Sequence, residues 1–93
     1  MRKDKFRQGA LRLVGIERGN QIRKWGEQSH PSFKWLAILM EEVGEVAMAI
    51  LKGKRFEIFS ELIQVAAVAV AWLEDLMWQD DLRTKREHGR RKT

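Results

Sequence analysis

With 93 residues, 44% of them apolar and 33% charged, the chain has room for one folded domain, at a size where self-association often supplies missing burial. It has no cysteine, which excludes a disulfide framework and a thiolate metal site. Its net charge of +5 is unevenly divided: residues 1–25 carry eight Lys/Arg against two acids, residues 82–93 six against one, and residues 26–81 ten acids against four bases.

An acidic centre between basic ends is not the single charged face of a nucleic-acid reader, so nucleic acid is not the expected partner. It suits a metal site that must also hold a polyanion. The N-terminal "MRKDKFRQGALRLVG" has no continuous apolar stretch of the signal-peptide kind. The most apolar run, Val65 to Leu73, is far shorter than the roughly 20 residues a membrane span needs. The expectation is a single cytoplasmic domain over residues 1–93, without a membrane, its basic ends (about 1–5 and 82–93) frayed or disordered.

Strand-like alternation is absent, which points to an all-α fold. The first helix is expected from about Asp4 to Trp25, weakened by Gly9, Gly15 and Gly19. "GEQSHPS" then forms a loop, because the residue before proline avoids the α region, and Ser32 is the expected N-cap. The second helix runs from about Phe33 to Leu51 and stops at Lys52-Gly53. Phe33, Leu36, Leu39, Met40, Val43, Val46, Ala47, Ile50 and Leu51 share its broad apolar face, with Glu42 and Glu45 at the border. The third begins near Phe56 and reaches about Trp78. From Leu62 to Leu73 it is apolar all round except Gln64, so its burial calls for a four-helix arrangement or a subunit interface.

Glu42 and Glu45 stand at i, i+3, about 60° apart on the helix, and Glu61 and Gln64 repeat that spacing on the next one. The short "LKGKRF" connection makes these helices antiparallel neighbours, so the two pairs can face each other. Two like charges about 5 Å apart repel by ~3 kcal/mol at an effective dielectric near 20. A hard divalent cation relieves this, and an all-oxygen donor set favours Mg²⁺ or Mn²⁺. The plainer reading is that Glu42 and Glu45 are solvated and Glu61 favours the first turn of its helix through the macrodipole. Spacing alone does not choose between the two.

"EEVGEVAMAI" followed by "SELIQVAAVAVAWLE" resembles the MazG-type all-α nucleoside triphosphate pyrophosphohydrolases, whose signature is an ExxE pair and, after a spacer, an ExxD pair. Glu42-Val43-Gly44-Glu45 fills the first, and Glu61-Leu62-Ile63-Gln64 fills the second except at its last position. The upstream "KWGEQSHPSFKWLAILM" resembles the region before ExxE in compact relatives, so the likeness spans residues 14 to 76 or so. It implies an antiparallel helical bundle completed as a homodimer or homotetramer. It also implies Mg²⁺-dependent hydrolysis of an NTP or dNTP between the α and β phosphates, giving the monophosphate and pyrophosphate. Carried over by position, Glu42, Glu45 and Glu61 hold metal, and Glu41 is a weaker candidate for a second ion or for orienting water. Gln64 departs from the pattern: an amide oxygen can ligate Mg²⁺ but adds no charge, and it can instead hydrogen-bond nucleotide.

The resemblance also implies aromatic and histidine side chains around the base, which makes Trp25 and His30 the candidates beside Pro31. Trp35, Trp72 and Trp78 read as core or interface. Lys52, Lys54, Arg55, Arg23 and Lys24 are each a phosphate contact or a solvated charge; Lys54 is the one selected. The alternative to an enzyme is a non-catalytic helical oligomer that binds nucleotide or nucleic acid through its basic ends.

Overall fold

In a computed structural model that describes residues 3–91, the described residues form three helices and no strand. Helix α1 spans Lys3–Trp25, α2 Ser32–Leu51 and α3 Arg55–Arg91. The all-α expectation holds. Long α3 is the spine: α1 and α2 each pack on it and not on one another, which leaves a groove between them. Arg18 meets Glu74 while the later Gln21 meets the earlier Gln64, so α1 runs antiparallel to α3.

The helix ends follow local chemistry. Gly26 and Gly53 adopt positive φ, 76° and 66°, a conformation that glycine reaches without strain. At Gly53 the backbone bonds Gly53 N to Ile50 O and Lys54 N to Ala49 O close a Schellman motif, as the Lys52-Gly53 stop predicts. The start of α2 differs from expectation. Pro31 occupies the N-cap with extended backbone, and its carbonyl accepts from Lys34 N and Trp35 N. Ser32 is already helical and no side chain caps the end. Proline's fixed φ sets the entry angle in its place.

Two segments are more helical than the sequence suggests. Interior glycines weaken a helix by about 1 kcal/mol each, yet α1 continues through Gly9, Gly15 and Gly19. Helix α3 does not fray at Trp78 but continues to Arg91. Asp80–Arg83 and Asp81–Lys85 ion pairs, at 3.6 and 3.1 Å, lie along this extension, each worth a few tenths of a kcal/mol. Residues 1–2 and 92–93 of the basic ends lie outside the described residues.

The core is small. Trp35 of α2 packs with Val68 and Ala71 of α3, flanked by Ile38, Leu39 and Trp72, and Ala49 and Ala67 are also buried. Helix α2 is apolar on two adjoining faces, and the inner one is the narrower. Trp35, Ile38, Leu39, Val46 and Ala49 turn toward α3. Most of the broad predicted face turns outward, with Phe33 78% and Leu51 81% exposed and Leu36, Met40, Val43 and Ile50 exposed with them. Helix α3 repeats the pattern: Ala67, Val68 and Ala71 face inward, while Phe59, Leu62, Val70, Leu73 and Met77 are exposed.

Because α3 is unbroken, a stretch within Arg55–Gly89 is long and apolar enough to cross a membrane by length and composition, and only 17% of it is buried inside the chain. The sequence expectation of no span rested on the shorter run Val65 to Leu73. Several of the helix's polar residues, Gln64, Glu74 and Asp75, are bonded to α1, α2 or the loop between them.

Candidate active site

The inward border of α2 and the facing side of α3 carry the acids. Glu42, Glu45, Glu61 and Gln64 line one cavity of about 440 Å³, which places the two i, i+3 pairs opposite each other. Helix α1 closes it with Glu17, Asn20, Gln21, Lys24 and Trp25. Among the described residues no three carboxylates or imidazoles converge closely enough to hold a metal ion as they stand. They are near enough to affect one another. The Glu42 carboxyl is pushed above its usual range by burial first, then by Glu61, Glu45, Glu41 and Glu17.

Beside this cavity lies a larger groove of about 700 Å³ between α1 and α2, floored by α3. Trp25, Trp35 and Trp78 contribute its aromatic surface, Ile38, Val68 and Ala71 its aliphatic surface. Gln21, Trp25, Glu42 and Gln64 line both spaces, so the two meet along one seam; the groove has acids too, Glu27, Glu74 and Asp75. The groove falls within the 300–1,000 Å³ typical of small-molecule sites.

A chain of hydrogen bonds crosses the seam. Glu74 accepts two from Arg18, Nε at 2.7 Å and Nη2 at 2.8 Å. Arg18 Nη1 donates to Gln21 Oε1 at 3.0 Å, and Gln21 Nε2 donates to Gln64 Oε1 at 3.2 Å. The Arg18 bonds hold the Glu74 carboxyl below its usual range against the opposing effect of burial, and the same pairing raises Arg18. Gln21 is buried, unusual for a glutamine and explained by its engagement on both sides. At the far end of the groove the buried Asp75 Oδ2 accepts from Trp35 Nε1 at 2.8 Å and from His30 N at 3.0 Å.

Against known proteins the chain has no match to any family model, curated protein or solved structure. The geometry therefore carries the reading.

Glu42, Glu45, Glu61 and Gln64 are brought together. Glu41 is exposed and lines neither space, acting on Glu42 only through its charge. Trp25 sits at the seam with Lys24 Nζ 4.8 Å from its ring centroid. His30 lines neither space; its ring packs edge-on against Trp35 at 4.9 Å and meets Gln28 Oε1 at 3.2 Å. Lys54 lies at the α2–α3 turn, 3.6 Å from Glu57, and also lines neither. Lys24 is the cation in the acidic cavity. Trp78 is a groove residue, half exposed, not core.

Sequence reasoning passed over Glu17, Arg18, Gln21, Glu74 and Asp75. The signal for the first three was present in "ERGNQIRKW", where Glu17, Arg18, Gln21 and Lys24 fall on one helical side at steps of three and four. Three glycines and a weak apolar pattern hid it.

The raised Glu42 yields a stability test. Folding raises this pKa, so Glu42 favours the folded state while protonated, below its ordinary value of 4.5. That contribution is lost as pH rises through the folded value. In protein stripped of divalent ions, Glu42→Gln is expected to raise the melting temperature by about 1–3 °C at pH 7 and not at pH 4. Circular dichroism melts of both proteins at the two pH values check this. A variant less stable than its parent in the stripped state at pH 7 would refute this account of Glu42.

Proposed function

We propose that the chain is a metal-dependent pyrophosphohydrolase that converts a nucleoside or deoxynucleoside triphosphate to its monophosphate and pyrophosphate, a nucleotide-pool activity of the MazG-like kind. One observation carries this reading: a cavity lined by four carboxylates shares Gln21, Trp25, Glu42 and Gln64 with a neighbouring groove that sets three tryptophans beside acids of its own. A triphosphate carried by a metal ion would take the acids of the cavity, and its planar base the tryptophan faces of the groove.

Glu42, Glu45 and Glu61 would hold the ion. Their donors are all oxygen, the kind a hard cation takes, and the mutual repulsion felt at Glu42 is what a cation relieves. The three acids would have to draw closer than they stand to share one. When bound, Mg²⁺ or Mn²⁺ neutralises phosphate oxygens and eases deprotonation of water. Water adds to the α-phosphorus and the bond to the bridging α–β oxygen breaks. Pyrophosphate leaves, and the water proton passes to a glutamate of the cavity. Lys24 offers a positive charge to the phosphates, and Trp25 and Trp78 offer faces to the base. Release of pyrophosphate from a panel of NTPs and dNTPs, with and without Mg²⁺ or Mn²⁺, tests the reading; no release from a folded protein would reject it.

We further propose that the protein works as a homodimer or homotetramer. The outward stripes on α2 and α3 support this, because many large apolar side chains stand exposed on both helices, the mark of a surface that meets a partner. Val43→Glu with Leu62→Glu, both in those stripes and outside the cavities, is expected to reduce the mass in light scattering to a smaller species. A parent protein that is monomeric at micromolar concentration would exclude the oligomer.

A further inference from the structure

The hydrogen-bond chain that crosses the seam has a direction. Arginine can only donate, so the Gln21 atom facing Arg18 is its oxygen. The Gln21 amide nitrogen therefore faces Gln64 and requires an acceptor there, which fixes Gln64 Oε1 toward Gln21. Arg18 cannot readily turn away, because Glu74 grips it through two of its nitrogens. The polarity of both amides follows from one ion pair, without reference to how similar an amide's nitrogen and oxygen look.

The remaining functional group is Gln64 Nε2. It makes no hydrogen bond among the described residues, and Gln64 borders both the acidic cavity and the aromatic groove. A nitrogen carrying two hydrogens repels a cation and suits an anionic oxygen. Resting on the proposed hydrolytic reading, we infer that Gln64 binds the substrate and not the metal: its amide N–H donates to a phosphate oxygen at the seam between triphosphate and nucleoside. Gln21 and Arg18 are positioning residues that hold this donor outward. A carboxylate at position 64 could accept from Gln21 but would offer no donor, so the amide changes what the position does.

Two affinities separate this role from metal ligation. Mn²⁺ binding to free protein is read by electron paramagnetic resonance, and pyrophosphate binding to Mn²⁺-saturated protein by calorimetry. Gln64→Met keeps side-chain length and removes the donor. It is expected to bind Mn²⁺ within about twofold of the parent and pyrophosphate roughly tenfold or more weakly, the range for a hydrogen bond to a charged group. Gln64→Glu, which preserves an acceptor for Gln21, is expected to bind Mn²⁺ more tightly and pyrophosphate more weakly. It gives a second reading if the methionine variant folds poorly.

A tenfold loss of Mn²⁺ affinity in Gln64→Met would overturn the inference and return Gln64 to the metal. Unchanged pyrophosphate affinity would overturn it too. A parent protein that binds no Mn²⁺ and releases no pyrophosphate would remove the hydrolytic reading and this inference together. A parent that does both, with pyrophosphate affinity intact in Gln64→Met, would remove the inference alone.

Discussion

Replacing Glu42 and Glu61 together by glutamine is expected to reduce metal-dependent pyrophosphate release by at least ~10³-fold, about 4 kcal/mol in the barrier. The two residues come from facing helices, so the double variant takes a carboxylate from each side of the cavity. Glutamine keeps the volume and an oxygen while removing the charge, which makes the change electrostatic. The variant should stay helical and, without divalent ions, be no less stable than the parent, since it loses like-charge repulsion. Glu57→Gln is the matched control: Glu57 is outside both cavities, near Lys54. Its rate should stay within about twofold of the parent. Loss of rate in both variants would trace the effect to net charge, and retained rate in the double variant would reject the carboxylates as the metal site.

The sequence disclosed where side chains lie around each helix but not which side meets a neighbour. The i, i+3 glutamates are legible because the spacing itself fixes their angle, and the Lys52-Gly53 stop is legible because a positive-φ position demands glycine. On α2, by contrast, two apolar stripes run side by side, their centres roughly 120° apart around the helix. Trp35 starts one and Phe33 the other. Hydrophobicity favours the broader stripe, which the structure turns outward, while Trp35 goes inward because Asp75 can accept from its indole. That choice depends on a residue forty positions later. The same limit explains Lys54 and Lys24: both are basic residues near a helix end, and only the antiparallel course of α1 brings one of them to the acids.

Asp75 should prove the most sensitive polar position for stability. It is buried, 4% exposed, and it ties the loop before α2, the Trp35 indole and α3 to one carboxylate. Burial alone would raise its pKa. The bonds from Trp35 Nε1 and His30 N, helped by the nearby Ser29 and Gln79 side chains, more than offset this and hold it below its ordinary value of 3.8. Asp75→Ala leaves the buried Trp35 indole and the part-buried His30 N without a partner and is expected to destabilise by about 3–5 kcal/mol. Asp75→Asn retains an acceptor and should lose about 1–2 kcal/mol, or roughly 5–10 °C in melting temperature for a domain of this size. A depressed carboxylate pKa contributes stability above its unfolded value, lost as pH falls toward the folded one. The deficit of Asp75→Asn relative to the parent should therefore be full at pH 7 and shrink as pH drops below 3.8. An asparagine variant as stable as the parent at pH 7 would mean that neither the charge nor its bonds hold Trp35 in place. The inward choice of face on α2 would then rest on packing with Val68 and Ala71 alone.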